Sequence, residues 1–325
     1  VSQTKAETLK TLLYHQHQYV SGQSLCEQLG CSRTAIWKQI NELRKEGYTI
    51  DSVQNKGYKL ITMPNKLIKE LIDMLLKTEC FGRQLTYYDT VSSTQKMAHH
   101  LAEDGAVEGT LVIADEQTGG RGRLGRAWHS PKGTGIWMSC ILRPILGVDQ
   151  IPQLTLIAAV AIVRAIKQVS GIDCGIKWPN DILYDGKKLV GILTELQAEV
   201  GSVRAVVIGM GINVNVDAEA IPDELRSIAT SLKIISGEVQ SREHLIAAIM
   251  FELETLYHIY LEEGFSMIKQ IWESHALSIG QHIRARLADG EVLCGTALGI
   301  NDDGVLLLKD DLGMIHPIYS ADINM

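Results

Sequence analysis

The chain has 325 residues, 46% of them hydrophobic, with 7 prolines and a formal charge of −7. That length suits two or three domains, and the composition excludes a disordered or low-complexity chain. An acidic balance also excludes a protein that coats nucleic acid over its whole surface, while leaving room for a local basic patch.

The amino terminus is polar, with no apolar core of a signal peptide. Residues 1–63 read as helix, tight turn, helix and hairpin. Leu9 and Leu13 recur at helical spacing, and Ser24–Leu29 forms a short amphipathic helix stopped by Gly30. Ser32 can cap the next helix, where Ile36, Ile40 and Leu43 share an apolar face opposite Thr34, Lys38, Asn41 and Lys45. Two short β patterns, 48–53 and 57–61, are joined by Gln54-Asn55-Lys56. The pattern is a winged helix-turn-helix, and its charge agrees. Residues 1–63 hold eight Lys and Arg against five Asp and Glu, and the remainder holds 23 against 33. A basic module on an acidic body suits DNA reading, with Ser32, Arg33, Thr34, Trp37, Lys38 and Lys56 as the candidate DNA-binding residues.

Met63-Pro64-Asn65-Lys66 marks a boundary, giving a DNA-binding domain over 1–63, a central domain over 64–274 and a third domain over 275–325. The central stretch alternates strands (110–114, 137–142, 176–178, 189–196, 203–208) with long helices over 154–169 and 243–260. Its longest apolar run, Leu154–Ile166, holds Arg164 and falls short of the roughly 20 residues a bilayer needs. Six cysteines (26, 31, 80, 140, 174, 294) lie without a CxxC pair or zinc spacing and read as idle thiols in a reducing cytosol. The expectation is a soluble, cytoplasmic protein with no membrane partner. After residue 280, short strands with Asp289-Gly290, Asp303-Gly304 and Leu312-Gly313 turns suggest a small all-β barrel.

Within 119–139, Gly120-x-Gly122-x-x-Gly125 has the letters of a dinucleotide fingerprint. That motif requires a helix after its third glycine, and Pro131, Gly133 and Gly135 forbid one. No Gly-Lys-Ser/Thr follows, so a Walker loop fails as well. What remains is a glycine-rich loop with Arg121, Arg123 and Arg126, whose backbone N–H groups and guanidinium forks suit an anion. Trp128 beside it can stack on a ring. A second dense stretch is Lys177-Trp178-Pro179-Asn180-Asp181, with Lys188 eleven residues after Lys177; lysine suits phosphate and Asp181 suits Mg²⁺. A third, Gly209-Met210-Gly211-Ile212-Asn213, ends a further strand. Three such strand ends imply one site for an anionic nucleotide ligand.

In this order, the three motifs resemble the signatures of the biotin protein ligases. With the winged helix and terminal barrel, essentially the whole chain resembles the bifunctional bacterial form, which also represses the biotin operon. The resemblance implies an α+β fold: a winged helix-turn-helix, a central mixed β-sheet with helices (biotin/lipoate ligase-like, class II synthetase-like) and a small SH3-like β-barrel. It implies an AMP-forming ligase that makes biotinyl-5′-AMP from biotin and ATP, with Mg²⁺ and no bound prosthetic group. Biotin would pass to a lysine of biotin carboxyl carrier protein, of acetyl-CoA carboxylase or pyruvate carboxylase. Biotinyl-5′-AMP would then act as corepressor, favouring a homodimer on operator DNA. Ser93, Thr94, Gln95, Gln117, Arg121, Gly122, Arg123 and Lys188 would bind biotin. Arg121, Arg123, Arg126, Trp128, Lys177, Asn180 and Asn213 would bind ATP or the adenylate. Arg123, Lys188 and Asp181 would be catalytic, with Asp181 also a metal ligand. Three rivals remain: a ligand-sensing transcription factor without ligase activity, a lipoate ligase, and an adenylating enzyme for some other acid.

Overall fold

The computed structural model describes residues 3–199, 202–287 and 289–324. It divides into two compact units, the first ending at Leu75 and the second starting at Leu76.

The first unit contains α1 (Gln3–Tyr14), α2 (Gly22–Leu29), α3 (Arg33–Lys45), β1 (Thr49–Val53), β2 (Gly57–Thr62) and α4 (Lys69–Leu75). Local chemistry sets its helix ends. The Ser21 hydroxyl accepts from Ser24 N at 3.0 Å, and the Ser32 hydroxyl accepts from Ala35 N at 3.2 Å, which satisfies otherwise orphaned donors. Gly30 ends α2 at φ 60°, a left-handed position open to glycine. Leu9, Leu12, Leu25, Ile36, Ile40, Leu43 and Leu60 form one core. Arg44 donates twice to Ile50 O, at 3.1 and 2.7 Å, and so ties α3 to the hairpin. Ile68 and Leu71 pack into the same core, which explains why this unit runs past the proline at 64 to include α4.

The second unit carries β3 (Leu85–Tyr88), α5 (Thr94–Glu103), β4 (Leu111–Ala114), β5 (Gly135–Leu142), α6 (Ile151–Ser170), β6 (Gly175–Lys177), β7 (Asp181–Tyr184), β8 (Lys187–Glu199), β9 (Ser202–Asn213), α7 (Leu232–Ser236), α8 (Arg242–Glu263) and α9 (Ser266–His275). It ends with β10 (His282–Leu287), β11 (Val292–Ile300), β12 (Leu306–Lys309), β13 (Ile315–Ile318) and β14 (Ala321–Asn324). The seven-stranded sheet has the order β3-β4-β5-β9-β8-β7-β6. Its β3–β4 pair is parallel and the others antiparallel, so the sheet is mixed. By length and composition α6 could cross a membrane, yet Ile157–Val163 are all fully buried within the fold. The last five strands form an antiparallel sheet, β13-β12-β11-β10-β14, around Ile283, Ala285, Ala297, Leu306, Leu308 and Ile323.

Strand alternation decides where a pocket can open. Ser139 and Ile141 of β5 point to one face and pair with Gly209 and Val207 of β9. Ile141 and Val207 pack with Ala98 and Ala102 of α5. Beyond the start of α5 the same face offers Gly209 and Gly211, which leave space where side chains would otherwise stand. These glycines lie inside β9, which runs to Asn213 without interruption; the sequence suggested that the strand ended before them.

Candidate active site and nucleic-acid interface

That space is a cavity of about 680 Å³, within the range of roughly 300–1,000 Å³ common for small-molecule sites. Every residue expected to meet biotin or nucleotide lines it: Ser93, Thr94, Gln95, Gln117, Arg121, Gly122, Arg123, Arg126, Trp128, Lys177, Asn180, Asp181, Lys188 and Asn213. Four separated stretches of sequence, 93–95, 117–128, 177–188 and the end of β9, thus reach one site.

At the α5 end the lining is a connected polar network. Gln117 Oε1 accepts from Thr94 N at 2.9 Å and lies 3.1 Å from Thr94 Oγ1. Gln117 Nε2 donates to Ser130 Oγ at 3.0 Å. Thr94 Oγ1 lies 2.9 Å from Ser139 Oγ, whose hydroxyl donates to Gln95 Oε1 at 3.0 Å; Gln95 Nε2 donates to Val207 O at 3.0 Å. Such a network fixes the direction of each donor and acceptor before a ligand enters. Ser93 caps α5 by position but makes no side-chain capping bond.

The floor is glycine. A Cβ on Gly211 would stand 2.4 Å from Trp128 Nε1, and one on Gly209 would stand 2.5 Å from Gln95 Oε1. The indole of Trp128 therefore lies directly on the sheet, with Lys188 Nζ 5.3 Å from its ring centroid. Its buried indole N–H has no protein partner among the described residues.

At the other end the charges gather. Lys188 Nζ pairs with Asp181 at 2.7 Å, across neighbouring strands β7 and β8. The Lys188 backbone is held on both sides, donating to Ile228 O at 2.7 Å and accepting from Thr230 N at 3.0 Å. Asn180 donates from Nδ2 to Ile192 O at 2.8 Å, and its Oδ1 accepts from Arg123 Nη1 at 3.2 Å. The second Arg123 nitrogen donates to Ser320 Oγ at 2.8 Å. Burial draws the Arg123 guanidinium below its ordinary pKa, with nearby Asp322 and Asp181 opposing. Arg126 forms an ion pair with Asp322, and their hydrogen bond raises the arginine and holds the carboxyl below the usual range.

The arginine loop is ordered and compact. Arg121 bridges Ala127, Gly122 N donates to Arg126 O at 2.8 Å, and residues 123–125 make one 3₁₀ turn. No helix follows Gly125; the next regular element is β5, as the rejection of a dinucleotide motif requires.

Several residues that line the cavity, or bond to residues that do, escaped the sequence. Ser139 and Ser130 are lone hydroxyls in otherwise unremarkable runs. Ser320 and Asp322 approach from β14 and the turn before it. Ile221, Leu225 and Ile228 supply an apolar wall. Among the described residues no three His, Cys, Asp or Glu side chains form a metal cluster.

On the first unit, Arg33, Thr34, Trp37 and Lys38 are exposed on α3, with Trp37 59% exposed. Ser32 spends its hydroxyl on the cap. Lys56 lies on the β1–β2 turn with its Nζ 5.8 Å from the Tyr19 ring centroid; Lys59 Nζ, absent from the sequence-based set, lies 5.7 Å from the same ring.

Comparison with known proteins agrees with this geometry. Residues 87–213 match the biotin/lipoate A/B protein ligase family, residues 5–59 an HTH domain and residues 278–325 the biotin protein ligase C terminal domain. A bifunctional ligase/repressor BirA from Bacillus spizizenii is 55% identical over 95% of this chain and 94% of its own length. The Escherichia coli protein of the same name is 30% identical over 95% of this chain and 93% of its own. A biotin protein ligase from Aquifex aeolicus, solved in complex with biotin and ATP, superposes with a TM-score of 0.66 at 29% identity, covering 74% of this chain and 99% of that one. With three domain matches in order and such identity along nearly its whole length, the chain belongs to the biotin protein ligases, in the branch of the bifunctional ligase/repressors.

Proposed function

We propose that the chain joins biotin to ATP as biotinyl-5′-AMP, transfers biotin to a lysine of a biotin carboxyl carrier protein, and represses biotin genes when loaded with the adenylate. The observation that carries this reading is the division of one cavity. A neutral hydrogen-bonding network (Thr94, Gln95, Gln117, Ser139) occupies one end, and Lys188, Asp181, Lys177, Asn180 and Arg123 occupy the other. The first end suits an uncharged polar ring, and the second suits a carboxylate meeting a phosphate.

In the first step a biotin carboxylate oxygen attacks the α-phosphorus and pyrophosphate leaves. Two anions must meet, so positioning and charge neutralisation dominate. Lys188 serves both reactants, and its pairing with Asp181 keeps the ammonium aimed before they arrive. Asn180 steers Arg123 in the same way. Asp181 and the Asn180 carbonyl are too few to hold a bare Mg²⁺, but they fit an ion delivered with the polyphosphate, since Mg²⁺ keeps waters and takes few protein ligands. When bound there, Mg²⁺ would offset phosphate charge. In the second step the carrier lysine's neutral ε-amine attacks the acyl carbon and AMP leaves. A free lysine has a pKa of about 10.4, so it needs help to lose its proton, and Asp181 is the carboxylate at hand. The arginine loop excludes water from the mixed anhydride between the steps.

The repressor reading rests on the basic, exposed face of α3 and the hairpin. Homodimerisation and carrier docking are assigned to the free margin of β8. Beyond Gly191, β8 pairs with β9 on one side and, among the described residues, with no strand on the other. Both activities are assigned to the cytoplasm.

The test is biotin-dependent exchange of labelled pyrophosphate into ATP, followed by labelling of a carrier domain. Exchange and labelling with biotin support the reading. Exchange with lipoate or octanoate but not biotin selects a lipoate ligase, and binding without exchange leaves a sensor only.

A further inference from the structure

The arginine loop is tied at its base by a residue outside the cavity. We propose that Arg242, at the start of α8, is a positioning residue that clamps both ends of this loop and thereby sets how long the adenylate is retained; the inference rests on the ligase reading above.

Arg242 is 4% exposed in its side chain, and its partner Asp115 is fully buried. Arg242 Nη1 donates to Asp115 Oδ1 at 2.7 Å and to Gly135 O at 3.3 Å. Asp115 directly follows β4 and Gly135 opens β5, so one guanidinium group holds the residues on either side of the loop. Gly133 N donates to Asp115 O at 3.2 Å, which brings the exit of the loop back to its entry. Above this base, Gln117 N donates to Ser130 O at 3.2 Å and Trp128 N to Gly120 O at 2.9 Å. The loop is thus a stalk with successive rungs, and its lowest rung is ionic. Gln117 and Trp128, which line the cavity, stand on the rungs above.

The position is an unfavourable one for a cation. Arg242 opens α8, where the helix dipole already presents positive charge, and it is buried there. A buried ion pair contributes little net stability but loses heavily if one partner goes, so its value lies in fixing geometry. A second connection reaches the same helix start. Asn215, two residues beyond β9, donates from its backbone to Thr134 O at 2.6 Å, while its side-chain amide brackets Gln240 through two bonds of 2.9 Å. The end of the arginine loop and the end of the glycine-bearing strand are both referred to residues 240–242, where α8 begins.

The experiment uses the full-length protein with Arg242→Gln, Arg242→Lys and the neutral pair Asp115→Asn/Arg242→Gln. Thermal unfolding is recorded for each, along with tryptic cleavage at Arg121, Arg123 and Arg126 without ligand, and the release rate of biotinyl-5′-AMP. The neutral pair should unfold near the wild-type temperature, because no buried charge is stranded. It should nevertheless be cut in the loop, and release adenylate, about tenfold faster or more, the scale set by one charge-assisted hydrogen bond. Arg242→Lys, keeping the charge but not the fork, should fall between. A folded neutral pair with wild-type cleavage and release would overturn the proposal, as would loss of thermal stability with no change in loop cleavage. Cleavage needs no ligand, so its outcome separates the clamp from the ligase reading. A wild-type protein that makes no adenylate would remove that reading and, with it, any retention role for the clamp.

Discussion

Lys188 is the residue on which most of the site's electrostatics converge. It pairs with Asp181, sits over the Trp128 ring and is fixed through its backbone to residues 228–230. Replacing it with glutamine should lower the rate of adenylate formation about 100-fold or more, the scale seen when a preorganised donor to developing charge is lost. Biotin binding should weaken less, because the polar network at the α5 end is untouched; stopped-flow adenylation beside calorimetric biotin binding separates the two. Gly211 makes a steric prediction. A methyl group placed 2.4 Å from the indole nitrogen must displace Trp128, so Gly211→Ala should weaken binding of biotin and ATP together while leaving the thermal midpoint within a few degrees. The importance of Gly211 was visible in sequence, but its reason was not. Glycines in a strand pattern read as an end or a bulge. Here they lie in mid-strand, because another side chain must lie flat on the sheet. Trp128 was expected beside a ring and does line the cavity, although no spacing rule could have shown that it would rest on Gly211. Ser139 was illegible for a different reason: a single serine in Gly135–Leu142 differs from solvent-facing alternation only once its neighbours are known.

At the scale of elements, the long strands and both long helices were legible from their apolar periods, whereas α4, α5, α7 and β3 were too short or too polar to stand out. Their stability comes from tertiary contacts, which local propensity does not carry. Glu254 on α8 shows one such contact. Its carboxylate accepts from the backbone N–H of Glu79, Cys80 and Phe81 at 2.8, 2.7 and 2.9 Å, holding the turn before β3. Burial pushes its pKa up, but these backbone donors prevail and the net direction is down. A carboxyl depressed on folding adds stability above its unfolded pKa, near 4.3, and loses that contribution as pH falls through the lower folded value. Glu254→Gln should therefore cost about 1–3 kcal/mol at neutral pH and flatten the acid limb of the stability curve below about pH 4.3. Urea unfolding between pH 7 and pH 3 measures both.

For the whole molecule, the separation of charge seen in the sequence has a functional corollary. One winged helix offers few phosphate contacts and a homodimer would double them, so on the proposed repressor reading operator affinity should track dimerisation. Adding biotin and ATP together should tighten operator binding, with a salt dependence steeper than for the unliganded chain; footprinting across a salt series reports both. Unchanged footprints would remove the corepressor role. The division of labour between the units was readable because each has its own periodicity and charge. The reach of Ser320 and Asp322 into the arginine loop was not, since nearly 200 residues separate the partners and neither a turn serine nor an aspartate in a short strand carries a distinguishing signal. The ligase and corepressor readings depend on the loop retaining an acylated AMP. The most direct check is to incubate the protein with labelled biotin, ATP carrying a label in its α-phosphate, and Mg²⁺, to separate it rapidly from free ligand, and then to add a carrier domain. Both labels should elute with the protein in equal amounts, after which the biotin label should move to the carrier as AMP is set free. A protein fraction that carries neither label, or that carries both and yields none to the carrier, would contradict the proposed ligase cycle.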